Sequence, residues 1–231
     1  MLSLSFRLKV LNLKIKTMSL TEDLKTRTQA SLKKYPENVH QIMNNGIKAL
    51  KDTEIIARAL KTGDRIPEII LPNASNKNIT VQEILLDKKV ILSFYRGGWC
   101  PYCNLELSAL QQALPEFEKC GTTLVAISPE TPDNSLSTSE KNNLSFEVLS
   151  DLDNKIASKF NLTFTLPEDL IEVYKGFGIN LEKSNGNPKQ QLPISATYVI
   201  DQDGTIIYHY IKEDYKERAD PKEIIKFLKH K

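Results

Sequence analysis

KKVILSFYRGGWCPYCNLELSALQQALPEFEK, residues 88–119, decides the fold. Residues 88–96 form a near-continuous apolar run suited to a central strand buried on both faces. Gly97 and Gly98 end it. From Pro101 to Lys119, Leu105, Leu107, Leu110, Leu114 and Phe117 mark the apolar side of a helix. A buried strand thus delivers Trp99-Cys100-Pro101-Tyr102-Cys103 to the first turn of a helix. Backbone N–H groups there lack partners and carry partial positive charge. A thiolate in that position is stabilised, so the thiol pKa falls below its usual value of about 8.5. Two residues separate the cysteines and Pro101 holds the first turn, which brings the sulfurs near enough to close a disulfide. Arg96 can add positive charge.

Downstream, the alternation repeats. TTLVAIS (122–128) reads as a buried strand, 135–143 as a polar helical or loop stretch, FEVLS (146–150) as a short strand and NKIASKFNL (154–162) as a helix. Residues 163 to 192, with Pro167, Pro188 and the neighbouring Pro193, read as a long irregular insert. ATYVID (196–201), a turn at Gln202-Asp203-Gly204 and TIIYHYI (205–211) form a β-hairpin. Asp220 caps a last helix, with Pro221 at its first position and Glu223 at its third. Upstream, a short strand at Glu68–Leu71 precedes a polar turn (Asn73–Asn78) and a short helix at Val81–Leu86. Helices are expected from Leu20 to about Tyr35, capped by Thr21, and from Glu37 to Leu60, separated by Pro36. Strands alternating with helices imply an α/β architecture, a sheet sandwiched between helical layers. The expected organisation is residues 1–17 as a flexible or non-native extension ahead of a start at Met18, with an acid-poor organellar presequence as the alternative, 18–61 as a helical extension, and 62–231 as the main domain.

Composition removes several function classes. The chain has 31 basic and 29 acidic residues, interleaved, for a net charge of +2. No basic stripe points to nucleic acid. Residues 1–16 are free of acids, but no apolar run there is long enough for a membrane span or a signal-peptide core. Three cysteines are too few for a secreted disulfide framework, which favours the cytoplasm. A structural zinc site needs four ligands, and beyond the pair only Cys120 and the scattered His40, His209 and His230 remain. Neither a metal nor a cofactor is expected. Cys120 ends a helix before a buried strand, where core packing is the default.

Cys-Pro-Tyr-Cys preceded by Trp99 resembles the active-site motif of the thioredoxin superfamily. The wider run FYRGGWCPYCNLELSALQ is similar to the peroxiredoxin-like branch of the alkyl hydroperoxide reductase and thiol-specific antioxidant (AhpC/TSA) family. The likeness continues through VAISPE (125–130), FEVLSDLDNKIASKFNL (146–162), TYVIDQDG (197–204) and DYKERADP (214–221). It implies a thioredoxin-like domain over 62–231, a three-layer α/β/α sandwich, with no bound cofactor, and reduction of peroxides or disulfides. In register with the family's Pro-x-x-x-Thr-x-x-Cys, this chain has Arg96, Cys100 and Cys103. The peroxidatic position therefore falls on Cys103, with Cys100 in place of threonine. Where peroxiredoxins tend to carry an arginine and thioredoxins a cis-proline, this chain has Ser195, with Pro193 two positions away.

The resemblance implies a thiol peroxidase in which Cys103 attacks the peroxide and Cys100 condenses with the sulfenic acid. An external dithiol of the thioredoxin type then restores both. Arg96, Trp99, Pro101 and Tyr102 are candidate supporting residues. The rival readings are a protein disulfide reductase, with Cys100 as nucleophile, and a binding module that keeps the fold without the reaction. A homodimer is compatible with the helical hairpin at 20–60.

Overall fold

In the computed structural model, which describes residues 19–230, ten α-helices, one short 3-10 turn (Leu152–Asn154) and nine strands follow one another. They run α1 (Leu20–Lys34), α2 (Glu37–Asp52), α3 (Ile55–Arg58), β1 (Ile70–Pro72), β2 (Asn78–Thr80), α4 (Val81–Leu85) and β3 (Lys89–Phe94). Next come α5 (Pro101–Lys119), β4 (Thr122–Ser128), α6 (Pro132–Asn142), β5 (Glu147–Ser150), α7 (Lys155–Lys159), β6 (Thr163–Thr165) and α8 (Glu168–Gly176). The chain ends through α9 (Leu181–Asn185), β7 (Gln191–Pro193), β8 (Ala196–Ile200), β9 (Ile206–Ile211) and α10 (Pro221–Lys229). The expectation for residues 1–17 lies outside the described residues.

The main sheet has the order β5-β4-β3-β8-β9, with β3 central, parallel to β4 and antiparallel to β8. Side chains alternate along a strand, so β3 divides its residues between two cores. Val90, Leu92 and Phe94 enter one cluster with Leu50, Ile55 and Phe160; Ile91 and Tyr95 enter the other with both cysteines and the apolar face of α5. The result is a sheet covered on both faces, an α/β/α sandwich. α5 and β4 begin and end where the sequence pattern places them, and β3 lies within the expected 88–96, ending two residues short of Arg96.

Several expectations need correction. Ser19, not Thr21, caps α1, through a capping box with Glu22; the Thr21 hydroxyl instead donates to Asp220, the α10 cap, at 3.3 Å. The helix expected to reach Leu60 stops at Asp52. Thr53 Oγ1 donates to the Leu50 carbonyl, and Glu54 takes a left-handed φ of 55°, which turns Ile55 and Ala59 into the core. The strand expected at Glu68–Leu71 is Ile70–Pro72, paired with β2 around a turn held by Asn73. The helix expected over 154–162 is one turn, because Asp153 and Asn154 are left-handed and the Asp151 carboxylate accepts the N–H groups of Ile156 and Ala157. Residues 163–192 are an ordered subdomain: β6 pairs with β7, and Leu166, Leu170, Tyr174, Leu181 and Leu192 form their own cluster. Pro167 caps α8 and so starts a helix where an irregular loop was expected. The polar 135–143 stretch, read as helix or loop, is helical to Asn142, the end of α6, and Asn143 caps it.

Candidate active site

The loop between β3 and α5 requires its two glycines. Gly97 has φ +147°, and a Cβ there would meet the Trp99 indole nitrogen at 2.2 Å; one on Gly98 would meet Thr138 Oγ1 at 2.0 Å. Gly98 is clamped on both sides: its N–H donates to Glu130 Oε2 at 2.8 Å, and its carbonyl accepts from Asn104 Nδ2 at 2.8 Å. Cys100 is the N-cap of α5, Pro101 its first residue, and Cys103 lies one turn in. Both thiols are free and fully buried.

A guanidinium approaches each sulfur. Arg96 Nη2 donates to Cys100 Sγ at 3.4 Å, and Arg218 Nη2 to Cys103 Sγ at 3.5 Å. Both arginines are buried and held. Arg96 donates to the Tyr174 hydroxyl at 2.9 Å and lies over the rings of Trp99, Tyr174 and Tyr215, the last at 4.4 Å. Arg218 donates through Nε to Glu106 Oε2 at 2.6 Å and through Nη1 to the carbonyls of Tyr215 and Glu217. Glu106 also accepts from Thr197 Oγ1 at 3.4 Å.

Charge divides unequally over the sulfurs. Burial opposes an anion at either. At Cys100 that opposition is outweighed by a hydrogen bond from the Cys103 thiol and by Arg96 and Arg218, which hold Cys100 well below the ordinary thiol range. Cys103 is pushed well above it, by burial and by the Cys100 anion beside it, with the arginines offsetting only part. The field of the two arginines thus favours a thiolate at Cys100 over one at Cys103. Burial also raises Glu106, against the pull of Arg218, and lifts Glu130 to about 7 despite hydrogen bonds from Gly98 N–H and Thr138.

Arg96, Trp99 and Tyr102 surround the two cysteines, with Pro101 the first residue of α5 between them. Arg96 contacts sulfur directly, Trp99 packs under it, and Tyr102 is buried with its hydroxyl 3.3 Å from Thr28 of α1. Cys120 caps α5 at its far end, half-buried against the core. Ser195 is buried near Arg96, lining a cavity with it, and Pro193 sits in β7 opposite Thr163. Arg218, Glu106, Tyr174 and Glu130 were not foreseen as site residues. Glu106 had a visible signal: a carboxylate one turn after Cys103 on an apolar helix face needs a buried cation. Arg218 had none.

A thioredoxin-like sandwich with a paired, arginine-bound dithiol at a helix mouth defines a thiol redox protein. The chain belongs to the AhpC/TSA family, whose profile matches residues 62–209. A bcp-type peroxiredoxin of Buchnera aphidicola is 34% identical over 103 residues, 45% of this chain and 65% of that protein. Peroxiredoxin Bcp of Escherichia coli is 24% identical over 170 residues, covering 74% of this chain and 96% of the relative. Among solved structures, peroxidoxin BcpB of Mycobacterium tuberculosis superposes with a TM-score of 0.59 at 20% identity, over 74% of this chain and 97% of that one. Among the described residues no helix is long and apolar enough to cross a membrane.

Proposed function

We propose that this chain is a thiol-dependent peroxidase, in which the Cys100–Cys103 pair reduces hydrogen peroxide or an alkyl hydroperoxide and an external dithiol recycles it. The observation that carries this is the pair of buried guanidiniums, one on each sulfur. Such donors stabilise a thiolate before attack and can polarise a peroxide oxygen as the O–O bond breaks. Where Ser195 stands in place of the family arginine, Arg96, which lines a cavity with it, and Arg218 supply the positive charge at the sulfurs.

The thiolate sulfur attacks one peroxide oxygen, the O–O bond breaks, and the other oxygen leaves as water or alcohol after taking a proton. The attacking sulfur becomes a sulfenic acid. The second sulfur attacks it, an S–S bond forms and water leaves. Two electrons from an external dithiol, of the thioredoxin type, restore both thiols by exchange.

Two arguments bear on which sulfur attacks. The motif register favours Cys103, which stands at the peroxidatic position. The local field favours Cys100, because the thiolate is the nucleophile and Arg96, Arg218 and the Cys103 thiol lower the Cys100 thiol while Cys103 is raised. The charge argument uses this chain's own side chains, and on it Cys100 attacks and Cys103 resolves. Intact mass after one equivalent of peroxide separates the two. On the charge argument Cys103→Ser gains one oxygen while Cys100→Ser stays unmodified; on the register argument the pattern reverses. If neither variant is oxidised and the wild type turns over no peroxide, the peroxidase assignment fails.

A further inference from the structure

Arg96 is the shared wall of two cavities. The first is narrow, about 20 Å³, and reaches Ser195 and Glu213. The second is a cleft of about 250 Å³ that α1 and α2 help to enclose. Its charge is one-sided: Arg27 and Arg96 line it and no acid does. Three of the lining side chains also carry a nitrogen without a partner. Arg27 Nε, Arg96 Nε and Trp99 Nε1 are buried and make no hydrogen bond among the described residues. Arg27 and Arg96 thus give the cleft a positive charge that no lining acid answers, which favours a ligand that brings acceptors. The rest of the lining is aromatic or apolar, including Met43 and the Tyr35–Phe177 pair, whose ring centroids are 4.5 Å apart.

We propose that this cleft selects a hydroperoxide carrying a carboxylate. The carboxylate pairs with Arg27, the body packs on Tyr35, Met43 and Phe177, and the peroxide group points at Arg96, the side chain that joins the cleft to buried Cys100. This rests on the peroxidase assignment above and adds its substrate class. Arg27, Tyr35 and Met43 belong to α1, the residue that caps it, and α2, all outside the residues matched by the family profile. Selectivity is therefore a property of this chain's helical hairpin. A cleft near the lower end of the roughly 300–1,000 Å³ typical of small-molecule sites suits a compact organic acid, not a polypeptide.

The test compares cumene hydroperoxide bearing a para-carboxylate with its methyl ester and with hydrogen peroxide, for wild type and Arg27→Gln. A charge-assisted hydrogen bond of the usual strength predicts kcat/KM about tenfold or more higher for the acid than for the ester in the wild type. That ratio falls towards one in Arg27→Gln. A wild-type ratio near one, with hydrogen peroxide still reduced, overturns the proposal and leaves the peroxidase assignment standing. A ratio that Arg27→Gln leaves unchanged overturns it too. Loss of turnover with every peroxide strikes the assignment instead, and binding then decides separately. Trp99 is the only tryptophan, so its emission reports the cleft. The carboxylated alcohol product should shift it saturably, about tenfold more tightly than its ester and than in Arg27→Gln. Equal affinities, or no shift, reject the site.

Discussion

Arg218 and Glu106 hold each other out of water: Nε lies 2.6 Å from Oε2, and the two side chains are 1% and 2% exposed. The pair ties α5, which carries Cys103, to the segment leading into α10. The same guanidinium reaches Cys103 Sγ, so one charge serves both the fold and the sulfur. Glu106→Ala leaves a buried cation unpaired and should cost about 3–5 kcal/mol in urea unfolding. Replacing both residues with methionine should recover most of that stability, because the unpaired charge is gone. Peroxide turnover should stay low in the double variant. A double variant as active as wild type would mean that Arg218 serves packing alone.

Arg96 is the nearest cation to Cys100, and it is fixed by Tyr174 and by three aromatic faces. Arg96→Met should move the Cys100 titration upward, read as thiolate absorbance against pH. Losing one charge-assisted hydrogen bond of about 1.5–3 kcal/mol should slow reaction with peroxide at neutral pH by roughly tenfold or more. Arg96→Lys should recover the charge but not the fork that spans sulfur and tyrosine, and so restore only part of the rate. An unshifted titration in Arg96→Met would place the source of the anion's stability elsewhere, in Cys103 and the helix terminus.

The central elements were legible because their signals are local. An apolar run gives β3, a three-to-four-residue repeat gives α5, and the Cys-x-x-Cys pair lies where they join. Glu54, Asp153 and Asn154 were not, because a left-handed residue leaves no mark on hydrophobic periodicity. Nor was the subdomain over 163–192, whose strands are three residues long and pair across a wide sequence gap. The site's second cation illustrates the same limit. Arg218 meets Cys103 across 115 residues, so no spacing rule could join them. Ser195 in the family arginine's place was visible in the sequence; that Arg218 reaches Cys103 was not.

The Gly97–Gly98 turn sets where Cys100 sits, and its sterics can be tested directly. Gly98→Ala puts a methyl 2.0 Å from Thr138 Oγ1. Overpacking of this kind should cost about 1–3 kcal/mol and weaken the Gly98–Glu130 hydrogen bond. Adding Thr138→Ala removes the clashing atom and should recover part of the loss, in urea unfolding and in peroxide rate together. Strict additivity of the two substitutions would mean the contact is not the cause.

Glu130 clamps the same glycine and gives the fold a pH dependence of definite sign. In the unfolded chain a glutamate ionises near its ordinary 4.5; in the fold Glu130 keeps its proton until about 7, chiefly through burial. Between these values the native state binds more protons than the unfolded one. Stability therefore falls as pH rises through that window, by up to about 1.4 kcal/mol per unit from this group, and levels off above it. Glu130→Gln keeps an acceptor for the Gly98 N–H but cannot ionise. Its urea midpoint should decline less than that of the wild type between pH 5 and pH 8, so the variant gains on the wild type most at the alkaline end. Parallel declines in the two proteins would show that Glu130 ionises in the fold as it does in the unfolded chain, and that the loop holding Cys100 is not under a titrating clamp.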